Sequence, residues 1–417
     1  RFCDYVILVT HSMGGLVARN ACLREGIKDK VLGIVHGVQP TDGSPAAYWR
    51  MKAGFERLHS VPDMDMMQWL KNPVKILKHK TNTLTNALKD TVSAWVLGTD
   101  GEEVTALLGN MPGGLELLPN KRYKNNDGDP CWLELIDSNG NKTTLPKSDP
   151  YEEIYREQEL YYRLVNPDWL SPGGIKKASI DKVGPWDSYL ENLDIAETFH
   201  KKLAAETVHP ETYQYYSSGI ASADRVVFVS MEDTLLAAVK RKLGMNGHPT
   251  PDSRKSTDKS LVFKAVKGSV AGLPILIDKA FQLVTSPLTD SEWYSNRGGY
   301  RERVNDQGLP SKEGNLQMVT LQLPDGVGDG TVPESSARAL PLPTDTQRTF
   351  CIADRHEFEG TFIGQNERLK PKQQPDFDEG YFDRGHEPVL STSSVRFITF
   401  TLIENICRGE IRRLLQK

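Results

Sequence analysis

The chain has 417 residues, with 51 lysines and arginines against 55 aspartates and glutamates, a formal net charge of −4 and 38% hydrophobic residues. That length suits a large buried core or one elaborated α/β domain; the near-balanced charge gives no electrostatic ground for a nucleic-acid partner or a bulk anionic surface, and no apolar run reaches the roughly 18 residues of a membrane span. The five cysteines, Cys3, Cys22, Cys131, Cys351 and Cys407, are scattered without CxxC spacing, so neither a zinc site nor a disulfide framework is implied, which fits synthesis in a reducing compartment.

The sequence opens on Arg1 rather than Met and enters a core-like strand almost at once, so we expect N-terminal strands of the fold, and any targeting segment, to lie outside it. Residues 4–9, DYVILV, are a continuous apolar run ended by a turn signal, the pattern of a parallel strand buried on both faces. A helix is expected over 13–25, with Leu16, Val17, Ala21 and Cys22 near one face, and a second buried strand over 30–38, KVLGIVHGV. Strand, turn, helix and strand make a βαβ unit. Residues 51–118 read as helical, and 131–146 as a hairpin turning at Asn139-Gly140. The DSNGN within that hairpin superficially suggests a calcium loop, but Lys142 stands where the required glycine belongs, so we reject it.

Residues 151–165 read as a charged amphipathic helix and 211–218 as a further core strand. Residues 246–260 are polar and aperiodic, a loop or linker. The apolar stretch 269–284 reads as a core helix, with a lipid-facing lid as the alternative. Regular alternation returns with a strand in 315–324, a glycine-rich loop in 326–333, a strand in 348–354 and a long helix over 391–415.

The chemistry centres on Ser12, in YVILVTHSMGG. A serine hydroxyl becomes a nucleophile only with a base in hydrogen-bond reach, an acid to orient that base, and donors for the oxyanion. On an α/β-hydrolase sheet these follow in the order serine, acid, histidine. Asp329, in GDGTVP, is the favoured acid, ahead of Asp325 in the same loop; alone, it would read as an aspartate making a turn. Two histidines can serve as base. His386 is favoured because it leads into the final helix; His356, directly after a strand, stays as the alternative. Neither lies in HExxH, so a zinc-protease reading fails. His11 is expected to line the pocket, and His36, in an apolar strand, to be a core histidine. Ser12 also suits a helix N-cap. The buried strand before it, Gly14 and Gly15 after it, and the acid and base downstream favour the nucleophile. The Met13 N–H, at the helix N-terminus, would then be one oxyanion donor, the second lying outside this sequence.

These residues resemble the lipase branch of the α/β-hydrolase superfamily. THSMGGLVAR looks like the nucleophile elbow of bacterial lipases and of enzymes that deacylate glycosylphosphatidylinositol, with Thr10 where that pattern usually has glycine. GDGTVP is similar to the acid loop of the lecithin–cholesterol acyltransferase branch, and VLGIVHGVQPTDGSPAAY to the strand and loop after the elbow. The long insertion between Ser12 and Asp329 looks most like that of the antibacterial phospholipase effectors of type VI secretion. The resemblance implies a doubly wound, mostly parallel sheet split by a large cap, with core parts at 1–50 and 315–417 and the cap at 51–314, which also contributes a core strand near 211–218. It implies hydrolysis of membrane phospholipid acyl esters, without metal or organic cofactor, by Ser12 as nucleophile, Asp329 as acid and His386 as base. It also implies an immunity protein and a secretion-spike or adaptor partner, for a protein made in the bacterial cytoplasm, secreted, and acting at a rival cell's membrane or periplasm. Competing readings are a soluble esterase or acyltransferase, a serine peptidase, and a catalytically silent hydrolase fold used for binding.

Overall fold

The computed structural model describes residues 3–55, 98–173, 184–203, 208–232, 293–296, 299–311, 317–322, 324–343, 348–352, 386, 389–391 and 393–415. The expected loop at 246–260, the apolar stretch 269–284 and His356 lie outside the described residues.

Among the described residues, two sheets organise the fold. The first is parallel and four-stranded, in the order β1 (Val6–His11), β2 (Val31–Gly37), β5 (Thr212–Ser217) and β12 (Thr349–Ile352). The second has six strands, in the order β4 (Lys142–Leu145), β3 (Leu133–Ile136), β7 (Val226–Glu232), β10 (Gln317–Leu321), β9 (Gly299–Val304) and β8 (Trp293–Asn296). It is antiparallel except between β3 and β7. A short antiparallel pair, β6 (Ile220–Ser222) and β11 (Gly326–Gly328), stands apart. The mixed α/β class expected from the βαβ rhythm is therefore present.

Helix α1 (Met13–Cys22) follows β1 and covers one face of the first sheet, where Cys22 packs with Val31, Ile34 and Leu8. Helix α7 (Ser393–Leu415) covers the other, burying Val395, Ile398, Leu402 and Ile406 against Val35, Val38, Tyr215 and Ile352. Burial on both faces explains why β2 is a run of apolar residues rather than an alternating one. Helix α7 can lie close to β2 because Gly33 carries no side chain. A Cβ there would sit 2.7 Å from Ile406 Cδ1 and 2.9 Å from the Glu211 carbonyl oxygen.

The larger core belongs to the second sheet. Tyr48, Trp49, Trp132, Tyr151, Tyr155, Trp169, Tyr189, Phe228 and Tyr300 pack there with aliphatic neighbours. Its helices are α2 (Pro45–Ala53), α3 (Gly101–Leu108), α4 (Pro112–Leu115) and α5 (Pro185–Lys202). Ser44 caps α2, its Oγ accepting from the Ala46 N–H at 3.2 Å, with Pro45 in the first turn. Asp100 caps α3 by accepting from the Glu103 N–H at 2.9 Å, and the Glu103 carboxylate accepts from the Thr99 N–H in return. Within this core Arg163 Nη2 pairs with Glu302 Oε1 at 2.8 Å, and the Tyr300 hydroxyl donates to Glu302 Oε2 at 2.6 Å. Burial lowers the Lys52 ammonium pKa well below its ordinary value.

Three expectations are corrected. The run 315–324 forms strand β10, but that strand pairs with β7 and β9 in the six-stranded sheet, so the first sheet does not resume at 315. Residues 151–165 are not one helix. A single π-helical turn, Tyr151–Tyr155, is followed by irregular chain, because Tyr151, Ile154, Tyr155, Leu164 and Val165 bury their side chains in one core without a helical stripe to carry them. The loop at 326–333 begins as strand β11 and continues into α6 (Glu334–Ala337). The expected hairpin turns at Asn139-Gly140, with Gly140 at φ 85°, and β5 lies between β2 and β12.

Candidate active site

The C-terminal end of β1 runs directly into α1, and Ser12 is the single residue between them. Its φ of 53° and ψ of −130° lie outside the ordinary regions for a residue with a Cβ. The turn is held by the Ser12 N–H donating to the Gly37 carbonyl at 2.9 Å and by the Gly15 N–H donating to the Ser12 carbonyl at 2.9 Å. Gly15 leaves room for the buried Gln39 side chain, whose Oε1 would lie 2.1 Å from a Cβ there. Ser12 occupies the N-cap position but makes no side-chain cap bond. Its hydroxyl instead donates to His386 Nε2 at 2.7 Å. This separates the two sequence readings of Ser12: a capping serine would spend its oxygen on the helix N–H groups.

Asp329 follows β11 and is 1% exposed. Its Oδ1 accepts from the Thr331 N–H at 2.9 Å and the Val332 N–H at 2.7 Å, while Oδ2 faces His386 Nδ1 at 2.7 Å. The turn expected for a loop aspartate is thus present, and it leaves one oxygen for the histidine. Ser222 supports the same loop from β6, its Oγ accepting from the Gly330 N–H at 2.8 Å. Gly330 takes φ 95°, a conformation that side chains rarely adopt.

His386 is 4% exposed and is held through its main chain as well as its ring. Its N–H donates to the Asp329 carbonyl at 2.8 Å, and its own carbonyl lies 2.8 Å from His11 Nε2. The structure therefore brings Ser12, Asp329 and His386 together, in the order of contact hydroxyl, imidazole, carboxylate. The alternative base, His356, is outside the described residues. The Met13 backbone opens α1 immediately beside Ser12. The charge of Asp325 is felt by Asp224, in the turn between β6 and β7.

Behind the turn lies a buried polar layer. Thr10 Oγ1 is 2.9 Å from His36 Nδ1, the residue opposite it in the β1–β2 register. Burial, with the nearby Arg19 charge, pushes the His36 imidazole down to about 3, so it is neutral at ordinary pH. Thr10, the departure from glycine in the elbow pattern, is thus matched by a hydrogen-bonding residue on the next strand. Val38 also takes a positive φ, 47°, at the end of β2 beside the site.

Sequence reading treated His11 only as a pocket-lining residue and gave Ser222 no role. A side chain that bonds a carbonyl 375 residues away leaves no local pattern. Among the described residues, no group of three or more potential metal-ligating side chains comes together. The arrangement can transfer the Ser12 proton to His386 while Asp329 stabilises the resulting imidazolium, which is the chemistry of acyl transfer through a serine.

No family model matches the sequence, and no curated protein matches it. A search of solved structures finds a similar chain in the crystal structure of the Tle4–Tli4 complex. The similarity has a TM-score of 0.55 and 24% sequence identity, and it covers 97% of this chain and 60% of that one. The chain thus shares its α/β fold with that structure and spans about 60% of that chain's length.

Proposed function

We propose that the protein is a lipase-type serine ester hydrolase of the α/β-hydrolase fold that cleaves acyl esters of membrane phospholipids. The observation that carries this reading is the pair of 2.7 Å bonds linking Ser12 Oγ to His386 Nε2 and His386 Nδ1 to Asp329 Oδ2, on a turn with a strained serine. Ser12 Oγ attacks the acyl carbonyl carbon and its proton passes to His386 Nε2. The Met13 N–H, at the positive end of α1, stabilises the oxyanion. Collapse breaks the ester bond, His386 returns the proton to the leaving lysolipid alcohol, and water then releases the fatty acid by the same route.

The likeness to the Tle4 chain, solved in complex with a second protein, is in keeping with the antibacterial effector resemblance of the motifs. On this reading the protein is made in the bacterial cytoplasm, secreted with a spike or adaptor partner, neutralised in its own cell by an immunity protein, and active at the target membrane. The test is fatty-acid release from vesicles of phosphatidylethanolamine and phosphatidylglycerol. Release should be lost in Ser12→Ala; equal release by the two proteins would overturn the assignment.

A further inference from the structure

We propose that His11 is a positioning residue for the base, acting on the main chain of His386 rather than on substrate; the proposal rests on the hydrolase reading above. His11 is the last residue of β1 and the immediate neighbour of Ser12. Its Nε2 lies 2.8 Å from the His386 carbonyl oxygen. A carbonyl only accepts, so His11 Nε2 carries the proton of this bond. The two imidazoles lie alongside one another, with ring centroids 5.0 Å apart and planes inclined at 49°.

Both the ring and the main chain of His386 are bonded to the residues around it.

Among the described residues, bonds of two kinds hold it. The Nδ1 bond to Asp329 and the Nε2 bond to Ser12 fix the rotation of the ring. The N–H bond to the Asp329 carbonyl and the carbonyl bond from His11 fix the two peptide planes flanking the Cα, and so the direction in which the side chain leaves the backbone. One main-chain bond comes from the acid loop, the other from the strand that carries the nucleophile. His11 thereby ties the base to the same rigid strand that presents Ser12, so the distance between Oγ and Nε2 is set within one element. Misplacement of a reacting group by about 1 Å can cost ~100-fold in rate.

The experiment compares His11→Phe, His11→Gln and His11→Asn with the wild-type protein, using p-nitrophenyl butyrate as a soluble ester and circular dichroism to verify folding. Phe keeps a ring but has no donor. The Gln amide can reach the carbonyl, whereas the Asn amide is one methylene shorter. We expect kcat to fall by roughly 10- to 100-fold in His11→Phe and His11→Asn with KM within about twofold of wild type, and His11→Gln to recover most of the rate. Should Phe disturb β1, the Gln–Asn pair gives the same contrast. Wild-type kcat in His11→Phe or His11→Asn, or equal impairment of Gln and Asn, would overturn the proposal while leaving Ser12-dependent turnover in the wild type intact. Absence of that turnover would overturn the hydrolase reading itself.

Discussion

Asp329 shows how one residue can serve structure and chemistry together. One carboxylate oxygen closes its own loop through the Thr331 and Val332 N–H groups, and the other holds His386 Nδ1. Asn in its place keeps an acceptor for the loop but can present an amide donor to the imidazole, which disfavours the form in which Nε2 is free to accept the Ser12 proton. On the proposed mechanism Asp329→Asn should fold as the wild type does and lose ~10,000-fold in kcat. Steady-state kinetics with a soluble ester checks this, and a loss below about tenfold would remove Asp329 from the acid role. Much of this was legible in the sequence. A serine after an apolar strand, followed far downstream by an aspartate in a glycine-rich loop and a histidine before the final helix, is a pattern with few other uses. The choice between His356 and His386 was favoured toward His386 but not settled, because both lie between the last strand-like run and the final helix and both precede glutamate. The contacts of His11 were equally hidden, being long-range.

At the scale of the element, the loop 38–44 after β2 is where the two layers join. The Ser44 N–H donates to the Leu117 carbonyl at 2.8 Å, the Asn120 N–H to the Asp42 carbonyl at 3.0 Å, and the Arg122 guanidinium pairs with Asp42 at 2.9 Å. Gly43 makes the approach possible: it takes φ 87°, and a Cβ there would lie 2.0 Å from the Leu118 carbonyl oxygen. Because both the space and the backbone conformation exclude a side chain, Gly43→Ala should destabilise the protein by at least ~2 kcal/mol. A urea midpoint within error of the wild type would contradict this. Strand β2 was readable because a parallel strand buried on both faces is a continuous apolar run; β1 has the same apolar sequence, but its residues are exposed or half-buried, so the expected burial on both faces is not found there. Strand β10 shows the limit of that signal. Its sequence, QMVTL, says strand but not which sheet, and the sheet is decided by pairing with β7 and β9, two segments distant in sequence. The segment 151–165 failed for a related reason. Its charges suggested a helix, but burial of five of its apolar residues in an irregular core overrode that local preference.

For the whole molecule, two buried histidines predict acid sensitivity. Burial pushes His36 down to about 3 and His200 to about 4, against an ordinary value of 6.5. His200 donates through Nε2 to the Glu116 carbonyl at 2.8 Å and accepts from the Tyr151 hydroxyl at Nδ1, a set of bonds made by the neutral ring. The unfolded chain binds more protons than the folded one between those values and 6.5, so stability is full above about pH 6.5 and falls as pH is lowered through the window. Each histidine contributes up to ~1.4 kcal/mol per pH unit there. Urea unfolding at pH 7.5, 6 and 5 should show this decline, and His200→Gln should flatten it while lowering stability at pH 7.5; an unchanged slope in the variant would remove His200 from the account. The two-layer organisation was only partly visible beforehand. The family resemblance implied a large insertion between Ser12 and Asp329, but not that its aromatic residues form the larger core around a six-stranded sheet.

The central claim is that Ser12 is an activated nucleophile. Incubation of the intact, folded protein with a fluorophosphonate probe, followed by peptide mass spectrometry, tests it most directly. The account predicts one adduct, on the peptide bearing Ser12, absent in Ser12→Ala and slow to form in Asp329→Asn. A folded wild-type protein that takes no label, or a label that persists in Ser12→Ala, would contradict it.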